Sequence, residues 1–466
     1  ISSFNKYLIT VIASLFVYLF YLLTPLLYDK AWVYANIESK LLNEFKVNLS
    51  TSGDISYRIL PTPHFLIKNS KILVADSKIQ KSIAEVKEFK VFLHQGNFFN
   101  KEKINFKKII INRANFSLLI NDLKLLNNFK NEKFPTKEIK ITNSNIFFKD
   151  NLGEIISIIK INNTIIFYDN KKKINFLNSK GEAFNIPFII DFINRSDLIK
   201  YEKININSKS LKLNIINEFT TDKNKLIKGK NHLSFLNSTI NTEYNIKEKL
   251  IIFKSGKSRL SNSQVNFDGQ LSINPFDLNL KVDLQNYKIS NLYTINPILI
   301  EFIESQLLFN DNISVNISIN TNSNIKNEIF QNAKINFHIM NGKIDFDKTT
   351  FINNDIGSLQ FGSSNLFFKN NDLVFSGDIL IDIKNSENLF SFLNTSKSSR
   401  KIFKKILVNL EYNFNDNKIT FNSLKIDDSE VESQLLTIID NFNDNNINNL
   451  NKSRRLLNEL LKAYAG

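Results

Sequence analysis

Between Asn312 and Asn320 the chain reads N-I-S-V-N-I-S-I-N, with Ile313, Val315, Ile317 and Ile319 alternating strictly with Ser314, Asn316, Ser318 and Asn320. Strand side chains point to alternate faces, so this spacing predicts a strand with one apolar and one polar face. The same rhythm recurs at Ile204 and Ile206, at Leu211, Leu213 and Ile215, and at Val265 and Phe267. It returns at Leu278, Leu280, Val282 and Leu284, and at Ile335, Phe337 and Ile339. Asn341-Gly342 then predicts a tight hairpin into Ile344 and Phe346. Phe375, Ile379, Ile381 and Ile383 form a further face, with a bulge expected at Gly377. Leu410, Tyr412 and Phe414 turn at Asn415 to Asn417 into Ile419 and Phe421.

The start of the chain follows a different rule. Lys6 is followed by an uncharged run from Tyr7 to Tyr28, which fills the roughly 20 residues a helix needs to cross a bilayer. Its lipid-facing anchor residues are Tyr7, Leu8, Ile9, Val11, Ile12, Leu15, Phe16, Val17, Leu19, Phe20, Leu22, Leu23, Leu26 and Leu27. A secretory signal's apolar region is about 7 to 15 residues, so an uncleaved anchor is expected, although Val33 and Ala35 resemble a cleavage site. Tyr28 and Trp32 suit the interface, and Lys6 points to a cytoplasmic start with the remainder exported. From Lys30 to Phe45 the period becomes helical, with Trp32, Ile37, Leu41, Leu42 and Phe45 on one side, and the anchor helix is expected to continue into it. Further helices are expected at Asn296-Pro297 through Leu308, Ser386 to Phe392, Ser398 to Ile406, Ser429 to Ile439 and Ser453 to Tyr464. Asn441 to Asn451 reads as a linker.

Composition narrows the function classes. The net charge of +15 is scattered, with no basic block, which argues against nucleic acid as a partner. Absence of Cys excludes disulfides and thiolate sites. The four His are isolated from one another, and His338 falls on the polar side of its strand. Gly256-Lys257-Ser258 ends like a phosphate loop, but Ile251 stands where the first Gly belongs. No hydrolase, zinc-protease or calcium-loop pattern occurs. The sequence therefore points to no enzyme, catalytic residue, metal or cofactor. Gly (12) and Pro (7) are scarce, so turns fall to Asn, Asp and Lys, as in Asp169-Asn170-Lys171.

Residues Lys46 to Ile72, K-V-N-L-S-T-S-G-D-I-S-Y-R-I-L-P-T-P-H-F-L-I-K-N-S-K-I, follow the anchor and short helix with a Gly53-centred strand and a Pro63-to-Ile72 segment. Paired runs follow, Phe89, Val91 and Leu93 and then Ile109, Ile111, Ala114, Phe116, Leu118 and Ile120. Ile139 to Ile161 adds a strand, turn, strand unit with Asp150 and Gly153 in the turn. In this order, from Lys6 to about Asp169, the chain resembles the AsmA family. The resemblance implies an inner-membrane-anchored periplasmic protein whose long β-sheet curls into a groove carrying phospholipid towards the outer membrane.

The expected fold is mainly β: a long curled antiparallel sheet behind one transmembrane helix, with few short helices and a helical tail. The expected division is anchor 1–28, juxtamembrane helix 29–46, AsmA-like β region 47–170, continued β-groove 171–428 with helices near 297–308 and 386–406, and tail 429–466. Antiparallel sheets with one wet face need something against the other, and helices long enough to cover it are missing. Groove residues would be Val265, Phe267, Leu278, Leu280, Val282, Ile313, Val315, Ile317, Ile319, Ile335, Phe337, Phe375, Ile379, Ile381, Leu410, Tyr412 and Phe414. Membrane lipid is the expected partner, with envelope proteins besides. The alternatives are a tethered scaffold for outer-membrane protein assembly with dry sandwich cores, and a surface adhesin.

Overall fold

Two breaks in helical geometry set the start of the fold. In the computed structural model, helix α1 (Ser3–Leu23) passes into a 3-10 turn (Thr24–Leu27) containing Pro25, and Tyr28 is extended at φ −72, ψ 144. The anchor therefore does not continue into the next helix, contrary to expectation. Asp29, also extended, caps α2 (Lys30–Phe45) by accepting the Trp32 N–H at 2.9 Å. Lys46 closes α2 in the left-handed conformation. The structure describes residues 3–76, 79–119, 132–150, 153–195, 200–222, 226–293, 307–309, 311–325, 328–370, 372–416, 418–427, 429–430 and 450–465. The protein is mainly β with one N-terminal apolar helix, and it divides into units Ile1–Leu236 and Asn237–Gly466.

In the first unit, α1 and α2 precede β1 (Asn48–Arg58), β2 (His64–Asp76), β3 (Ile79–Leu93), β4 (Phe106–Leu119), β5 (Glu138–Lys149) and β6 (Ile155–Asp169). Then come β7 (Ile174–Ala183), β8 (Ile186–Arg195), β9 (Lys200–Ser208), β10 (Leu213–Thr221) and β11 (Ile227–Phe235). Successive strands pair antiparallel except β4 with β5, which run parallel. The parallel pair falls where the chain has a long connection, as a crossover requires. Leu211, expected in a strand, lies in the turn before β10, where Lys212 has φ 48.

α2 covers the first strands. Val33, Ile37, Leu41 and Phe45 recur at four-residue spacing and are buried against Phe65, Ile67, Phe89, Val91, Ile109 and Ile111. Leu42, assigned by sequence to the same side, is 50% exposed. At 100° per residue it lies a full step round the helix from Leu41. A seam crosses these strands where two successive residues face outward: Lys68 and Asn69, Lys87 and Glu88, Asn112 and Arg113, Thr142 and Asn143. Asn69, Arg113 and Asn143 have φ of 50, 55 and 48, which resets the alternation so that Ser70, Val86, Ala114 and Ser144 point inward again. On the outer side Glu88 accepts hydrogen bonds from Asn112 at 3.0 Å and from Arg113. Chiefly the Asn112 hydrogen bond holds the Glu88 carboxyl below its ordinary pKa.

The second unit holds β12 (Ser238–Lys247), β13 (Leu250–Ser255), β14 (Ser258–Leu260), β15 (Ser263–Ile273), β16 (Phe276–Gln285), β17 (Ile313–Asn322), β18 (Asn332–Met340) and β19 (Lys343–Asp345). It continues with β20 (Thr350–Asn353), β21 (Gly357–Lys369), β22 (Asp372–Ile383), β23 (Lys405–Asn413), β24 (Lys418–Ile426) and β25 (Ser429–Glu430). Only β16 and β17 are parallel among the described pairs, again across a long connection. Asn341 and Gly342, at φ 52 and 67, form the expected hairpin. Helix α3 (Ser290–Tyr293) is one turn. Helix α4 (Ser386–Leu393) is capped by Asn385, and the terminal helix α5 (Leu450–Ala465) packs beside it.

Three expectations change here. The bulge lies on β21 between Gly362 and Asn365, and Gly377 instead gives it room, since a Cβ there would sit 3.0 Å from the Ser364 Cα. The predicted Ser398–Ile406 helix is only a 3-10 turn (Lys397–Ser399) followed by extended chain, because Ile406, Val408 and Leu410 alternate into β23. Ser429 and Glu430, expected to open a helix, form β25. The rest of that helix, most of Asn441–Asn451 and most of the Asn296–Leu308 helix lie outside the described residues; Leu307 and Leu308 sit in a 3-10 turn (Leu307–Phe309).

The packing predicts a contrast between neighbours on α2. Leu41→Ala should cost the first unit about 2–5 kcal/mol, whereas Leu42→Ala should stay within about 0.5 kcal/mol of the parent. Denaturant unfolding of the two purified variants measures both.

Candidate functional site

Cross-strand register decides which side chains share a face, because partners in an antiparallel or parallel ladder project to the same side. In the first unit one line of partners runs Ile55, Ile67, Phe89, Ile111, Ile141, Thr164, Ser179, Ile190, Ile206, Ile215 and Leu233. It crosses every strand from β1 to β11. The second unit has its own line: Ile246, Ile251, Leu271, Leu278, Val315, Ile339, Ile344, Leu366, Phe375, Tyr412 and Ile419. The row of the second unit is apolar throughout, and that of the first is apolar except at β6 and β7, where Thr164 and Ser179 bond to each other at 2.7 Å.

The reverse faces are mixed: they carry the cross-strand ion pairs, but also apolar side chains such as Phe167, Phe176 and Ile193 in register in the first unit and Leu380 opposite Leu407 in the second. Cross-strand pairs there include Lys160 with Glu182 at 2.9 Å, Lys203 with Glu218 at 2.6 Å, Lys254 with Glu243 at 3.7 Å and Lys369 with Glu411 at 3.0 Å. His338 meets Asp345 at 3.2 Å on this side, as its polar phase in β18 requires. All are partly exposed, so each stabilises by no more than about 1 kcal/mol. Their collective effect is to mark which face meets water.

The seventeen proposed groove residues lie on the strands of the second unit, except Phe414, which follows β23. Register places them on a common face: Phe267 with Val282 and Ile319, Leu280 with Ile317 and Phe337, Ile319 with Ile335. Phe375 pairs with Tyr412, and Leu410 lies opposite Gly377 two residues along. Val265, Val315 and Leu410 are buried, and the other fourteen are half-buried. Ile313, Ile317, Phe337, Phe375 and Phe414, together with Leu308 and Phe309, pack against the buried cluster of Val315, Ile339, Ile344, Leu366 and Leu373. Burial also pushes the Tyr412 hydroxyl above its ordinary pKa.

Sequence reading left out the matching face of the first unit. There Ile190, Ile204, Ile206, Ile215 and Leu233 are all half-buried, unlike the residues beneath α2. Phe188, Ile190 and Phe192 carried the necessary period-two signal. This face also has a polar margin, with Asn175, Asn194 and Glu202 in register and Lys200 3.2 Å from Glu202.

Two glycines keep the apolar faces smooth. Phe253 lies over Gly269 and Phe188 over Gly181, each pair being register partners. A Cβ on Gly269 would sit 2.7 Å from the Phe253 ring and 2.4 Å from the Asn279 carbonyl; one on Gly181 would meet the Lys160 carbonyl at 2.5 Å. Rings laid flat over glycine fill the gap that the missing side chain leaves.

Thirteen of the fourteen proposed anchor residues are exposed. Leu22 is the exception: it is buried against the first unit's core, so it holds α1 to the sheet and does not face lipid. Gly256 to Ser258 is a strand-to-strand bend, with the Gly256 N–H donating to the Asn241 carbonyl at 2.8 Å. Among the described residues no cluster of three His, Asp or Glu is placed to hold a metal ion.

Gly269→Val should force Phe253 off its partner and destabilise the second unit by about 1–3 kcal/mol, read as a lowered denaturation midpoint. A variant unfolding with its parent would show that the close ring approach is unimportant. No family model, curated protein or solved structure matches the chain.

Proposed function

We propose that this chain is an AsmA-like, inner-membrane-anchored periplasmic protein that carries phospholipid along apolar β-grooves and supports outer-membrane biogenesis. The observation that carries this reading is the largely apolar row in each unit, which has cross-strand ion pairs on its reverse side and is only half-buried over much of its length. A dry sandwich core would bury such residues nearly completely. An exposed apolar helix at the N-terminus supports attachment to a bilayer.

The energetics agree with lipid as the occupant. Each methylene exposed to water costs about 0.8 kcal/mol, so a 16-carbon acyl chain faces roughly 12 kcal/mol on leaving a membrane. An apolar lining removes most of that cost while headgroups stay in water. Sliding along a uniform lining changes burial little at each step, so the chain itself needs no motor domain for movement.

Protein purified from membranes and stripped of free detergent micelles should retain stoichiometric phospholipid by mass spectrometry. Ile317→Asp places a charge on the apolar face and should sharply lower the bound lipid, while Asn316→Asp, on the exposed reverse face, should not. Absence of phospholipid from a folded parent protein would sink the conduit and favour the scaffold reading.

A further inference from the structure

We infer that the membrane-proximal loops of the first unit form a second membrane contact, a collar of apolar tips that sits in the outer bilayer interface around the end of α1. The collar consists of Leu26 and Leu27 from the 3-10 turn, Leu60 between β1 and β2, and Phe99 between β3 and β4. Their exposures are 59, 77, 80 and 72%. This assignment rests on α1 crossing the bilayer and is independent of lipid carriage.

What fixes the height of the two loops is a set of hydrogen bonds from tyrosines at the end of α1 and just beyond it. The Tyr18 hydroxyl donates to the Gln95 side chain at 3.0 Å, and the Tyr21 hydroxyl to the Gln95 carbonyl at 2.8 Å. Tyr21 also accepts the Phe98 N–H at 3.1 Å, and the Tyr28 hydroxyl donates to the Phe98 carbonyl. From the sheet side, the Tyr57 hydroxyl donates to the Leu22 carbonyl at 2.6 Å. Burial pushes the Tyr57 pKa up, so it remains a donor. Both loops are therefore tied to the last turns of a helix whose apolar stretch runs from Phe4 to Leu27.

Within the β3–β4 loop the two phenylalanines part company. Phe98 is fully buried and stacks on Tyr21 with ring centres 5.4 Å apart; Phe99 touches the edge of the same ring at 5.0 Å but points outward. Placed at the depth of Tyr21, Phe99 has lipid and not water beside it. Leu60 follows three residues after Tyr57, whose hydroxyl is held by the Leu22 carbonyl near the end of α1.

Charge around the tips fits a headgroup layer. Arg58, Lys30, Lys101 and Lys103 are exposed within four residues of Leu60, Leu27 and Phe99. The nearby acids are Asp29, engaged as the α2 cap, and Glu102. Tyrosines, tryptophan and lysines flanking an apolar wedge are the composition that settles at a bilayer interface. Burial of several apolar side chains there would add to the tyrosine hydrogen bonds and to Leu22 in holding the first strands at a fixed height.

The chain has no Cys, so single-cysteine variants of the full-length protein report cleanly. Leu27→Cys, Leu60→Cys, Phe99→Cys and, as a solvent control, Lys171→Cys would carry an environment-sensitive fluorophore in vesicles of phosphatidylethanolamine and phosphatidylglycerol. Positions 27, 60 and 99 should show blue-shifted emission, lost on adding nitroxide-bearing lipid and resistant to aqueous iodide, with position 171 behaving oppositely. Iodide quenching at both 60 and 99, with 27 protected, overturns the collar while leaving the anchor intact. Iodide quenching at 27 as well removes the anchor on which the collar rests. If labelling at 99 disrupts folding, Phe99→Lys supplies a second reading: the label at position 60 should shift towards water, and no shift counts against a shared collar.

Discussion

Strand register is the constraint on which everything else depends. A one-residue slip in any ladder would turn that strand's apolar side chains outward and its lysines and glutamates inward. The rows through Ile206 and through Val315 persist across parallel pairs, register shifts and the left-handed seam. The seam shows how: β2, β3, β4 and β5 each place two successive residues outward at the same level. Glu88, Asn112, Arg113, Thr142 and Asn143 then satisfy one another on the wet side.

The apolar face does not have one environment throughout. Beneath α2 it is an ordinary protein core, with Ile67, Phe89 and Ile109 excluded from water. Towards β8 to β11 the same face continues with Ile190, Ile206 and Leu233 only half-buried. In the second unit Leu308 and Phe309 of the 3-10 turn and helices α4 and α5 pack on particular stretches, while Leu280 and Ile319 are half-buried. Covered stretches stabilise the fold, and open stretches are where apolar ligand would gain from burial.

Much of this organisation was legible wherever one physical signal acted alone. Period-two alternation located β16, β17, β18 and β23, Asn-Gly located the β18–β19 hairpin, and uncharged length located α1. Signals failed where two competed. Leu42 looks equivalent to Leu41 by composition, and only the packing angle of α2 separates them. Ser398 to Ile406 is basic and free of breakers, yet pairing with β22 draws its end into a strand. Gly377 looked like a bulge because glycine often marks one; it is instead the partner that gives the bulge space. The first unit's own apolar face carried the same period-two signal at Phe188, Ile190 and Phe192 and at Ile204 and Ile206, but alternation alone does not tell a half-open face from a covered one. The tyrosine clasp on Gln95 and Phe98 joins residues more than seventy positions apart, beyond any local pattern.

The central claim is that these apolar faces touch lipid and their reverse faces do not. Site-specific photo-crosslinking with benzoylphenylalanine in living cells tests it most directly, comparing positions 206 and 317 with their opposite-facing neighbours 207 and 316. Lipid adducts at 206 and 317, and none at 207 and 316, are the predicted result. Adducts only to protein at 206 and 317, or equal lipid labelling of both faces, would contradict it.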